Sequence, residues 1–299
     1  MKYPMHCTIA IFSTKVSMKI KSFKKTAPKF AKLQGLAIVI RIGTQREIQD
    51  AIQALKNDAD FTTIGWQENF AKLMQLTIDG RPQFNIFASG NSKLPFYAFS
   101  TLPGVTCPGA GACIDFCYSY RAWRYPASFM RQAQNAYLLR FNQPAISAAL
   151  SALPGAYDMR LYVDGDFSSA VDVDFWMTQL KNNPQANAYG YSKSFSALLE
   201  YDQKNAWPEN YTLNISSGHN SGDAIVQKIE ALTITRGHFV AVAVGFKPEH
   251  GTKKTNDAIR SKFDTKIFPC PGKCGTCTGA GHACGMPKMS GRIIAIAIH

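Results

Sequence analysis

The chain has 299 residues, 46% of them hydrophobic and 18% charged, enough apolar material for a substantial core in one large domain or two smaller ones. No run of about eighteen apolar residues is free of charge, which excludes a membrane span; the apolar stretch at residues 4–13 is short and lacks a small-residue cleavage site, so the expected location is cytoplasmic. The net charge of +13 is concentrated: residues 1–46 hold ten Lys or Arg and no acid, leaving a net +3 for the remaining 253.

That excess reads as a basic arm, "KVSMKIKSFKKTAPKFAKL". Such an arm either attracts phosphate backbones or anionic lipid through counterion release, or simply stays solvated. After it, Ile48, Ile52 and Leu55, then Phe70, Leu73 and Leu76, recur at helical spacing and predict two short helices. Residues 1–82 are thus expected to form a basic, partly helical region preceding an α/β domain over 83–299.

From about residue 83 the pattern alternates. Strands are predicted over 96–101, 159–166, 186–192, 211–216, 238–245 and 291–299, with helical segments over 127–142 and after Ser168, Ser194 and Gly222. Strand, helix, strand at this spacing requires crossover connections, hence a mainly parallel sheet covered by helices. Six strands are too few for a closed eight-stranded barrel, so the expectation is a partial (β/α) barrel or a curved open sheet. Its ligands belong at the carboxyl ends of the strands.

Three successive strands end in polar residues: Asp164, Gly165 and Asp166; Ser192, Lys193 and Ser194; Ser217, His219 and Asn220. Singly, Ser168, Ser194 and Ser217 read as helix caps. Together the three ends predict a ligand-facing rim, with Asp164, Gly165, Asp166, Lys193 and His219 lining a cofactor pocket.

Seven of the eight cysteines fall in two windows, residues 107–117 and 270–284, where even scattering would place fewer than one; Cys7 is the outlier. A chain this large, read as cytoplasmic, does not call for a disulfide framework, so a shared metal or cluster is expected. Cys107, Cys113 and Cys117 form a three-thiol loop, which leaves one iron of a [4Fe-4S] cluster open or a zinc ion one ligand short. Cys270, Cys274, Cys277 and Cys284 offer four thiols, enough to close an auxiliary zinc or cluster site. His282 reads as a solvent-facing residue of a glycine-rich loop.

The stretches "LPFYAFSTLPGVTCPGAGACIDFCYSYRAWRYPASFMRQAQNAYL", "RLYVDGDFSS" and "AYGYSKSF" resemble the gene product 88 family of phages and plasmids, from about Lys93 to the C-terminal cysteine loop. The resemblance implies a lineage in mobile elements rather than a defined activity. The order of features is also similar to that of radical S-adenosylmethionine enzymes. That likeness implies a cluster on Cys107, Cys113 and Cys117 flanked by Phe116 and Tyr118, with Asp164 to Asp166 gripping the amino group of S-adenosylmethionine. The usual Cys-x3-Cys-x2-Cys spacing occurs instead at Cys270 to Cys277.

After the first window, Tyr118, Tyr120, Trp123 and Tyr125 alternate with Arg121 and Arg124. Rings interleaved with cations suit single-stranded nucleic acid; alternatively Tyr118 and Trp123 are core and the arginines pair with Asp115, Asp164 or Asp166. The expectation carried forward is an iron-sulfur protein of unknown substrate with one or two [4Fe-4S] clusters. Its rivals are a zinc-stabilised nucleic-acid-binding protein using the N-terminal arm, and a protein whose metals only staple loops.

Overall fold

A computed structural model of the chain describes residues 28–275, 277–278 and 281–298. Cys7 and the arm up to residue 27 lie outside the described residues.

The arm ends earlier than its charge suggests. Residues Pro28–Ile42 form a helix, α1, that buries Phe30, Leu33, Leu36, Ala37 and Ile40, because its apolar positions recur on one face between the lysines. The two expected helices follow as α2 (Gln45–Lys56) and α3 (Ile64–Asp79). The start of α2 is fixed by a capping box: Thr44 accepts from the Glu47 N–H while the Glu47 carboxylate accepts from the Thr44 N–H. These helices share one apolar core with the rest of the molecule. Phe30 stacks on Trp123 at 5.2 Å, and Trp66 approaches Phe129 at 6.3 Å.

The sheet has seven strands: β1 (Tyr97–Ala98), β2 (Tyr157–Leu161), β3 (Ala186–Ser192), β4 (Tyr211–Ser216), β5 (Thr235–Val242), β6 (Phe268–Pro269) and β7 (Ile294–Ala297). Their order is β1-β2-β3-β4-β5-β7-β6, every pairing is parallel, and the sheet curls into a half-barrel. The partial barrel expected from the strand spacing is therefore the fold. β6 and two helices, α5 (Gln143–Ser151) and α9 (Lys253–Arg260), were not predicted; each is short and lacks a long periodic run. The crossovers are α4 (Pro126–Phe141), α6 (Ala170–Asn182), α7 (Phe195–Asp202) and α8 (Asp223–Glu230).

Alternation along the strands separates two faces. Met159, Leu161, Ala186, Ala188, Leu213 and Ile215 pack with Trp176, Leu198 and Ile229 of the helices in the main core. Tyr189 and Tyr191 of β3 and Ile294 of β7 belong to a second cluster with Ala283, Cys284 and Met289. The second cysteine window thus covers the inner face of the half-barrel.

Candidate metal centre at the strand ends

Glycines seat the first cysteine loop. A Cβ at Gly109 would stand 1.7 Å from the Lys193 carbonyl oxygen, one at Gly111 2.8 Å from that of His219, and one at Gly218 2.9 Å from the Cys113 nitrogen. Only bare backbone can approach so closely. The contact is held by hydrogen bonds from Gly111 N–H (2.9 Å) and Cys113 N–H (3.2 Å) to the Gly218 carbonyl, and from Asn220 N–H to that of Gly109 (3.1 Å). The loop is thereby pinned to the carboxyl ends of β3 and β4.

Beneath the loop, polar residues of two of the three strand ends, β2 and β3, are joined by hydrogen bonds, and Lys193 reaches Ser216 of β4. The Asp166 carboxylate, 4% exposed, accepts from the N–H of Phe167 (2.8 Å) and Lys193 (2.7 Å) and from the Ser192 hydroxyl (2.8 Å). Lys193 donates to the Ser216 hydroxyl at 2.6 Å, linking β3 to β4. Gly165 has φ +80°, and a Cβ there would meet the Thr101 hydroxyl oxygen at 2.1 Å. Asp164 faces the other way, accepting from Gln132 (3.0 Å), which in turn accepts from the Trp123 indole N–H (2.9 Å). His219 lies against Phe195, ring centroids 4.9 Å apart, and burial holds its imidazole below the ordinary value.

The serines are not the caps their spacing suggests. Ser169, not Ser168, caps α6; Gly222, not Ser217, stands at the start of α8; and the Ser194 hydroxyl, buried before α7, makes no cap bond. Ser168 donates instead to Asp172, and Ser217 accepts from Ala241 N–H.

Around this rim the Cys117 thiol lies within electrostatic reach of both Cys107 and Cys113. Burial pushes Cys107 up to about 12, with the Asp166 carboxylate adding and Lys193 opposing. Cys113 is also raised by burial, against the pull of Lys193. Tyr120 is pushed up to about 12, by burial first and then by Cys117, Cys107 and Cys113 together.

The second window is more enclosed. Cys270 is pushed up to about 12, by burial and by Cys284, Cys274 and Cys277. Cys284 is pushed up to about 11 by burial, opposed by the Tyr191 hydroxyl and by Arg236 and Arg160. The Cys277 sulfur accepts from Ala283 N–H at 3.3 Å. Arg236, 2% exposed, donates to the Asn214 side-chain oxygen (2.5 Å) and to the carbonyls of Met289 and Arg292 (both 3.0 Å). Asn214 then donates to the Cys284 carbonyl (3.0 Å).

Several of these residues were missed in the sequence. Arg160 and Asn214 lie between apolar neighbours in short strands, Tyr189 and Tyr191 flank Gly190, and Arg236 precedes the predicted strand 238–245, so nothing local marks the inner face. Arg160 stands between the windows: its guanidinium lies 4.5 Å over the Tyr191 ring and within electrostatic reach of Tyr118 and Cys274, while the Tyr118 hydroxyl donates to the Val163 carbonyl at 3.2 Å. Its buried Nε has no hydrogen-bond partner. His282 is not solvent-facing but 6% exposed, packed on Tyr189 (4.4 Å) and Phe96 (4.7 Å), with Nε2 3.7 Å from Asp158. The aromatic run divides: Tyr120 and Trp123 are buried, while Tyr118 and Tyr125 are 53% and 60% exposed. Arg124 donates to the Arg121 carbonyl, and neither arginine forms an ion pair with the aspartates considered above.

Both donor sets have the chemistry of thiolate-bound metal. Three or four sulfurs, partly shielded from water, face Lys193 in one window and Arg160 and Arg236 in the other, cations that would offset the charge of a thiolate centre. Nevertheless, among the described residues no three His, Cys, Asp or Glu side chains stand in an arrangement that could hold one metal ion. Also among the described residues, no helix is long and apolar enough to cross a membrane.

A family model described as Gene product 88 matches residues 71–288. The match begins within α3 and so includes residues upstream of Lys93. No curated protein and no solved structure matches the chain.

Proposed function

The chain belongs to the gene product 88 family, and from its two thiol windows we propose that it is an iron-sulfur protein of a mobile element. Cys107, Cys113 and Cys117 would hold one cluster at the strand ends, and Cys270, Cys274, Cys277 and Cys284 a second on the inner face. Bound there, a [4Fe-4S] cluster would supply one-electron transfer. The observation that carries the reading is the folding of both windows onto one half-barrel, each beside buried or half-buried cations.

The chain's own residues have definable parts in this reading. Gly109, Gly111 and Gly218 fix the first loop to the strand ends. Lys193 favours thiolate at Cys113, and Arg236 does so at Cys284. Metal loading must expel the thiol protons that burial retains, and the side chains must turn to share a centre. Asp166 already accepts three hydrogen bonds, so its support for S-adenosylmethionine would be to position Lys193 and Ser192 rather than to offer a free carboxylate.

Oxygen-free purification followed by reconstitution with iron and sulfide tests the proposal. A brown protein absorbing broadly near about 400 nm, with about four irons per centre, is the expected result, and S-adenosylmethionine is then titrated into it. A colourless protein that takes zinc and rejects iron would replace this reading with the zinc-stabilised one. For the latter, the exposed rings of Tyr118 and Tyr125 beside Arg121 and Arg124 are the specific support, through stacking on single-stranded nucleic acid.

A further inference from the structure

A cavity of about 630 Å³ opens beside the first cysteine loop, where the ends of α1 and α4 meet the start of α6. That volume is of small-molecule size. Its buried lining includes Thr101, Thr106 and Asp166, and Thr106 immediately precedes Cys107. The cavity shares Asp166 with the rim above, whereas Lys193 and His219 do not line it.

Two guanidiniums, Arg41 and Arg140, line the same cavity. Arg41 donates to the Val105 carbonyl, and one nitrogen of Arg140 donates to the carbonyls of Ile40 (2.5 Å) and Gly43 (3.0 Å). Among the described residues, neither has a carboxylate within ion-pair distance. A guanidinium carries five N–H donors in a planar fork, so both retain donors suited to an oxyanion.

The cavity is not uniformly positive. Asp172 also lines it, accepting from Ser168 N–H at 2.9 Å and from the Ser168 hydroxyl at 2.5 Å, and Asp166 is engaged as described. Two carboxylates disfavour a ligand that is anionic throughout, but they accept hydrogen bonds from hydroxyl groups. Apolar surface completes the lining: Phe141, whose ring centroid lies 4.4 Å from the Arg140 guanidinium, is 37% exposed and Val171 67%.

We propose that this cavity binds a phosphorylated small molecule with a hydroxylated body and a flat apolar end, the chemistry of a nucleoside monophosphate. The phosphate sits on Arg41 and Arg140, the hydroxyls face Asp172, and the ring covers Phe141 and Val171. Cysteine chemistry is not required for this binding, so its failure and that of the metal reading are separable.

Calorimetric titration of the full chain with adenosine monophosphate, adenosine and inorganic phosphate tests it. The expected result is one nucleotide per chain, with adenosine and phosphate each at least about tenfold weaker. Arg41→Gln with Arg140→Gln removes the binding. Val171→Glu weakens it at least about tenfold, and Val171→Ile, which keeps the apolar contact, does not, at an exposed position where neither change disturbs packing. Absence of binding at about 10 mM nucleotide, adenosine or phosphate binding as well as the nucleotide, or equal affinity in Val171→Glu and Val171→Ile would each overturn the proposal.

Discussion

A methyl group at Gly109 would stand 1.7 Å from the Lys193 carbonyl oxygen, inside any allowed contact, whereas one at Gly35 on the exposed side of α1 would meet nothing within 4 Å. The two positions therefore predict opposite signs for the same substitution. Gly109→Ala must push the first cysteine loop off β3 and should cost about 1–3 kcal/mol. Gly35→Ala should stabilise by about 0.5–1 kcal/mol, because alanine loses less backbone entropy in a helix. Urea denaturation of the two variants checks both. The thiols make a further prediction at this scale. Burial raises Cys107, Cys270 and Cys284 from 9.0 to about 12, about 12 and about 11, so the fold prefers the protonated thiol. Between pH 9 and those values the unfolded chain binds fewer protons than the folded one, and stability falls with rising pH. Metal-free protein should keep this contribution below pH 9 and lose it as pH rises toward 11 to 12. Denaturation midpoints measured across that range would count against the account if they stayed flat.

β3 is the element where legibility in the sequence can be judged most sharply. Its extent was readable from "ANAYGYS", and Ala186 and Ala188 pack toward the helices as the alternation requires. What could not be read was the partner of Tyr189 and Tyr191. They meet a loop nearly a hundred residues later, around Cys284, and no local pattern encodes so distant a contact. The same limit hid Arg236, whose fork ties β5 to Asn214 and to the loop before β7. The proximity of Asp166, Ser192 and Lys193 was legible because it depends only on strand ends lying side by side, whereas Ser216, which Lys193 reaches, and the turning away of Asp164 toward Gln132 were not. The burial of α1 was obscured by lysines that share its sequence with Phe30, Leu33 and Leu36. Arg236→Ala leaves several buried acceptors unpaired and should cost about 3 kcal/mol. Because these bonds hold the second window and not the first, metal should be lost from Cys270–Cys284 alone, which cysteine-accessibility labelling of each window can resolve.

For the whole molecule, the half-barrel gives both cysteine windows a common scaffold, while α1 to α4 extend the same core beneath the first loop. Arg160 stands between the two windows, yet each window has its own donors and its own supporting bonds, as two separate centres would. Cys113→Ser should abolish loading of the first and leave the second, and Cys284→Ser should do the reverse. The most direct test is the iron and sulfide content of oxygen-free, reconstituted protein in wild type and in these two variants. The account predicts two clusters in the wild type and one in each variant. No cluster in the wild type, or loss of all iron in both variants together, would contradict it.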